Sequence, residues 1–206
     1  MVDCDVESFK VVLLGESGVG KTSIISQFLD QEFAEDQQAT TGATFSNKSI
    51  IYDQYNKELS FEIWDTAGQE KYRALTKMFY KDASIAILVY DITREESFEQ
   101  IRDFWVDQLK ENAPKNMIMA IAANKSDLIA DEKVDETEAR NLAESIGAIF
   151  RLTSAKQQTG IEELFRDVGN KFLDPQFDGT KEKRKTVKVK KEEKNQSEEK
   201  KTGRCC

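Results

Sequence analysis

Histidine does not occur in the 206 residues. Its absence removes the usual general base at neutral pH and the commonest metal ligand, so any catalysis has to rest on other groups. Cysteine is almost as scarce. Cys4, Cys205 and Cys206 are the three present, and neighbours in sequence do not form an ordinary structural disulfide. Neither a secretory signal nor an apolar run of spanning length is found, so a reducing, cytosolic setting is expected. From Asp174 onward eleven Lys and Arg stand against seven Asp and Glu. That stretch therefore carries +4, and with −8 for the whole chain residues 1–173 carry −12. A body this acidic speaks against general nucleic-acid binding, which depends on neutralising phosphates.

What is present is organised around Gly15–Thr22, GESGVGKT, directly behind the apolar run of Val11–Leu14. Gly15, Gly18 and Gly20 allow backbone conformations closed to residues with a Cβ, so successive N–H groups can turn inward around a phosphate. A helix starting near Lys21 adds the positive end of its dipole. The phosphate cradle thus runs from Gly15 through Ser17, Gly18, Val19 and Gly20 into Lys21, Thr22 and Ser23. Lys21 can reach the terminal phosphates, and the Thr22 hydroxyl suits a magnesium ion that bridges them. The spacing predicts a nucleotide triphosphate site.

Along the chain, Met1–Ser8 reads as a mobile N-terminus and Gln31–Thr44 as a polar loop that a ligand can order. Strands are expected near 45–53 and 58–64, at 84–90, 117–123 and 148–152. Helices are expected behind the phosphate loop and at 95–110, 137–147 and 161–173. The strand ending at Trp64 leads into Asp65-Thr66-Ala67-Gly68-Gln69. Asp65 is placed to hold magnesium through water, Gly68 offers an N–H to the last phosphate, and Gln69 can orient an attacking water. The strand ending at Ala123 runs into Asn124-Lys125-Ser126-Asp127. The Asp127 carboxylate can accept from the ring N–H and exocyclic amine of guanine, a donor pair that adenine lacks. Each such bond contributes roughly 1.5–3 kcal/mol, so the base is chosen by orders of magnitude. Small residues at Thr153-Ser154-Ala155-Lys156 let backbone N–H groups approach the guanine carbonyl.

GESGVGKT, WDTAGQE, NKSD and TSAK stand in this order, and together they resemble the Ras superfamily of small GTPases. WDTAGQEKYRAL, VYDITREESFEQ and the final Cys-Cys resemble its Rab family, nearest to the early-endosomal branch. The resemblance implies a P-loop NTPase fold of the Ras type: an α/β domain of three layers over residues 9–173, with a mostly parallel six-stranded sheet, one strand antiparallel, and a disordered tail from 174 to 206. It implies Mg2+ as cofactor, with Thr22, Thr40 and Asp65 at the metal and Gln69 positioning water. Phe33, Asn124, Lys125, Asp127, Ser154, Ala155 and Lys156 would form the guanine pocket. Phe45, Trp64 and Phe79 would belong to the face read by effectors, although the residues alone fit ordinary core packing equally well. Family members usually carry Thr-Ile-Gly in the mobile loop, whereas Thr40-Thr41-Gly42 offers two adjacent hydroxyls. The distance from Lys21 favours Thr40.

By the same resemblance, Cys205 and Cys206 would accept two geranylgeranyl groups. Two chains anchor a protein stably where one anchors it marginally. The expected setting is the cytoplasmic face of intracellular membranes, endosomal ones favoured, with a cytosolic pool. The implied partners of this monomeric switch are GTP and GDP, an exchange factor, a GTPase-activating protein, effectors, a prenylation escort and a GDP-dissociation inhibitor. The basic cluster Lys181–Lys191 either adds attraction to anionic lipid or is a solvated charge run diluted by Glu192, Glu193, Glu198 and Glu199. The rival readings are a nucleotide-locked scaffold of the same fold that does not hydrolyse, and an ATP-dependent phosphotransferase, which Asp127 disfavours.

Overall fold

The first strand, β1 (Asp5–Leu14), alternates its side chains so evenly that it divides the interior in two. Phe9, Val11 and Leu13 enter one apolar cluster, while Val12 and Leu14 enter a second on the opposite side of the sheet. This is the pattern of a strand covered on both faces. The computed structural model describes residues 5–30, 40, 42, 44–66 and 78–178. Within them, six strands form one sheet in the order β2-β3-β1-β4-β5-β6. They are β1, β2 (Thr44–Tyr52), β3 (Lys57–Asp65), β4 (Ile85–Asp91), β5 (Ile118–Asn124) and β6 (Ile149–Leu152). Only β2 runs antiparallel, paired to β3 across a 3₁₀ turn at Asp53–Tyr55 with Asn56 left-handed at φ 49°. The expected mostly parallel α/β architecture with one hairpin is thus observed.

Helices α1 (Lys21–Phe28) and α5 (Ile161–Leu173) cover one face. The other carries α2 (Glu95–Gln100), α3 (Val106–Asn112) and α4 (Glu136–Ser145). Under α5, the rings of Phe28 and Phe165 stack at 3.7 Å and Phe9 stacks on Phe172 at 4.5 Å, with Phe61 edge-on to Phe9 and Phe28. Such aromatic burial dominates the packing energy of a small layer.

Two departures from the sequence expectation have local causes. β1 begins at Asp5, so Asp5–Ser8, read as part of a mobile terminus, pair in parallel with Lys57–Ser60. Three of the four residues are polar and the fourth, Val6, is exposed, but they need only backbone bonds to extend a strand. The helix expected over 95–110 has its core side chains where periodicity places them, with Phe98, Ile101, Trp105 and Leu109 buried. Its middle, Ile101–Trp105, is however a π-helical turn between α2 and α3, an inserted wide turn of a kind that 3.6-residue periodicity does not reveal.

Parallel strands place their carboxyl ends on one edge of the sheet. The ends of β1, β3, β4, β5 and β6 therefore deliver the loops after residues 14, 65, 91, 124 and 152 to one region.

Candidate functional site

The loop between β1 and α1 closes tightly because Gly20 lies in the left-handed region at φ 97° and leads directly into the helix. A Cβ there would come within 2.3 Å of Asn124 Nδ2, so position 20 has room for hydrogen only. Lys21 folds back across the loop and is 5% exposed. Its ammonium donates to the carbonyls of Gly15 at 2.9 Å and Glu16 at 2.7 Å. Burial lowers the Lys21 ammonium to about 8, against the upward pull of the Asp65 and Glu16 carboxylates.

Beside it, three oxygen-bearing side chains converge from separate parts of the chain. The Thr22 hydroxyl donates to Asp65 Oδ2 at 2.6 Å and lies 2.8 Å from the Thr40 hydroxyl. Asp65 is 2% exposed. Its Oδ1 is buried with no hydrogen-bond partner among the described residues. Burial pushes the Asp65 carboxyl upward, opposed by the Thr22 hydroxyl and the Lys21 ammonium. A buried carboxylate oxygen without a partner, next to two hydroxyls, is a hard-oxygen donor set that fits Mg2+. Thr40 is brought to Thr22; the other candidate, Thr41, lies outside the described residues. Gly68 and Gln69 also lie outside them. Thr66 fixes the chain ahead of both by donating to the Leu13 carbonyl at 2.7 Å.

The base-side loops leave β5 and β6. Lys125 turns the chain with a left-handed φ of 65°, and a 3₁₀ segment, Ser126–Asp131, follows. Ser154, fully buried, donates to Asp127 Oδ1 at 2.5 Å and accepts from the Gln157 N–H at 3.0 Å. The NKSD and TSAK segments are therefore one unit, also joined by the Ser126 N–H to the Thr153 carbonyl at 3.0 Å. Asn124 serves as a brace between pockets: its amide donates to the Val19 carbonyl at 2.8 Å and its oxygen accepts from Thr153 at 3.2 Å. Ala155 is buried and Lys156 exposed beside them. Phe33 lies outside the described residues.

Sequence reasoning did not single out Asp91 or Thr153. Asp91, 1% exposed, ends β4 and meets Lys125 Nζ at 2.6 Å while accepting from the Thr93 N–H and hydroxyl. An acidic residue closing an otherwise apolar strand, VYD, was the available signal. Thr153 offered none beyond its place in TSAK.

On another edge, Phe45, Trp64 and Phe79 form a row. Phe45 and Trp64 meet edge to face at 5.4 Å, and Trp64 and Phe79 lie tilted at 5.8 Å, with Lys10 Nζ 5.1 Å above the Trp64 ring. Phe45 is 54% exposed and Trp64 and Phe79 are half-buried, so the row reaches the surface and is not closed core. Cys205 and Cys206 lie outside the described residues.

The Ras family profile matches residues 10–174. Among curated proteins, the chain is 45% identical over 168 residues to human Ras-related protein Rab-22A, covering 81% of this chain and 84% of that protein. It is 43% identical over 188 residues to human Ras-related protein Rab-31, covering 90% and 93%. Rat Rab-31 is 43% identical over 176 residues, covering 84% and 89%. With that extent of likeness, and with a phosphate loop, a paired base loop and a six-stranded Ras-type sheet in one molecule, the chain belongs to the Rab family of small GTPases, GTP-hydrolysing switches of vesicle trafficking.

Proposed function

We propose that this chain holds Mg2+-bound GTP or GDP between Gly15 and Lys156, hydrolyses GTP slowly, and in its triphosphate form recruits effectors to endosomal membranes. The convergence of Thr22, Thr40 and Asp65 beside Lys21 supports this most directly. Thr22, Thr40 and, through water, Asp65 would hold the Mg2+, which when bound neutralises charge on the β- and γ-phosphate oxygens. Lys21 would exchange its two carbonyl acceptors for phosphate oxygens, gaining bonds to an ionised acceptor in place of bonds to neutral ones. Backbone N–H groups from Gly18 to Ser23 would take the remaining oxygens. Asp127, aligned by Ser154, would accept from guanine. Phe33 would flank the base.

Gln69 is too weak a base to remove a proton, so its role is to orient water for in-line attack, with the Gly68 N–H on the γ-phosphate. The phosphoryl group passes to that water and GDP leaves with its new terminal charge. Loss of the γ-phosphate would release the segments around Thr40 and Gly68. Phe45, Trp64 and Phe79 would then present a different surface, which is how an effector distinguishes the two states. With no arginine assigned to the γ-phosphate within the chain, single-turnover hydrolysis should proceed on the order of 10⁻⁴ per second, and an arginine from an activating protein should raise it by about 10⁵. The direct test is single-turnover hydrolysis by wild type and Gln69→Leu. A wild-type rate near 1 per second without partners, or equal rates for the two, contradicts the assignment.

Membrane attachment would come from prenylation of Cys205 and Cys206, with Lys181–Lys191 near the lipid. Their replacement by serine should leave nucleotide binding unchanged and move the protein to the soluble fraction. Membrane retention of that variant refutes the anchor.

A further inference from the structure

The phosphate loop contains a residue that is electrostatically out of place. Glu16 puts a carboxylate in the turn whose backbone faces a polyanion, and its side chain is only 24% exposed, so solvent screens it poorly. Its partner comes from far along the chain. Arg94, immediately before α2, donates from Nη2 to Glu16 Oε2 at 2.8 Å and from Nη1 to the Ser17 carbonyl at 3.1 Å. A Cβ built at Gly18 would lie 3.8 Å from Nη1, so the guanidinium runs along the outer wall of the loop.

Arg94 is aimed by a rigid turn. Its N–H donates to the Asp91 carbonyl at 3.0 Å, and the Ser97 hydroxyl donates to the Arg94 carbonyl at 2.6 Å. Asp91 in turn carries the ion pair to Lys125. The turn after β4 thus holds the phosphate loop with one hand and the base loop with the other, and it does so from residues outside both motifs.

We propose that Arg94 is a positioning residue for nucleotide retention, cancelling the Glu16 charge at the rim of the phosphate site and fixing the outer turn of the loop through the Ser17 carbonyl. The proposal rests on the reading of Gly15–Thr22 as the phosphate site. Removing the arginine alone leaves Glu16 unpaired beside the phosphates. Removing both charges takes away the repulsion together with its remedy. The second change should therefore reverse the effect of the first, which a merely structural contact would not produce.

The experiment loads the full chain with N-methylanthraniloyl-GDP and follows its release into excess GDP at low salt. Release from Arg94→Gln should be about fivefold faster than from wild type, the upper end for a partly exposed ion pair. Glu16→Gln/Arg94→Gln should return to within about twofold of wild type, and Arg94→Lys, which keeps the charge but loses the fork, should fall between. The excess release of Arg94→Gln should shrink at about 0.5 M KCl, where charges are screened within a few ångströms. Wild-type release from Arg94→Gln, a double variant as fast as Arg94→Gln, or a salt-independent difference overturns the proposal. If wild type fails to retain the labelled GDP, the phosphate site itself is misassigned; if it retains it and no variant differs, only the role of Arg94 is lost.

Discussion

Asp91 carries more of the site than its position outside every nucleotide motif suggests. Burial alone would push its carboxyl up, but the Lys125 ammonium and both Thr93 donors outweigh that and hold it below the ordinary carboxylate range. A depressed folded value means that the unfolded chain binds more protons in acid. The Asp91 contribution is therefore present above the unfolded value near 4 and is lost as pH falls through the folded one. Asp91→Asn should cost about 2 kcal/mol of unfolding free energy at neutral pH, because Lys125 keeps a charge whose partner has gone. In urea titrations the gap to wild type should narrow below about pH 4, while a gap independent of pH would exclude the ion pair as its source. Ser154→Ala is a separate residue-scale case. Asp127 loses the donor that aligns it, and affinity for GDP should fall about tenfold, a cost typical of one hydrogen bond to a charged group. Unchanged affinity in calorimetric titration would show that Asp127 is held by other means.

At the scale of elements, the edge strand β2 is fastened to α5 by close contact. Tyr52 donates to the Phe165 and Arg166 carbonyls at 3.3 Å and 3.2 Å, and a Cβ on Gly169 would lie 2.0 Å from its oxygen. Helix propensity alone favours Gly→Ala by about 1 kcal/mol. Here the sign should reverse, with Gly169→Ala destabilising by about 1–3 kcal/mol as the Tyr52 ring is displaced, readable as a lower urea midpoint. A higher midpoint would mean that the ring moves aside without loss. Legibility divides along the same line. Elements with strong periodicity were readable, including α5 to the residue and the apolar strands β4 and β5. GESGVGKT and NKSD stand out in the sequence because each is contiguous and spans eight residues or fewer. The contacts that join them do not: Asn124 to Val19 spans 105 positions and Arg94 to Glu16 spans 78, and no local pattern encodes a pairing at that distance. The π turn at Ile101–Trp105 and the extension of β1 to Asp5 escaped for a similar reason, since both are set by what neighbouring elements require.

Across the described residues, contacts between loops at different strand ends (Thr22 to Asp65, Asn124 to Val19, Lys125 to Asp91, Ser154 to Asp127) brace the proposed phosphate, metal and base sites against one another. The chain divides its charge unevenly, with −12 over residues 1–173 and +4 from Asp174 onward. The central claim is that this joined site takes a guanine triphosphate with Mg2+. The most direct measurement is competition for N-methylanthraniloyl-GDP by unlabelled GTP and ATP, with Mg2+ and with a chelator. GTP should displace the label at micromolar concentration or below, ATP should fail, and the chelator should speed release. Displacement by ATP as effective as that by GTP, or no binding of the label at all, would contradict it.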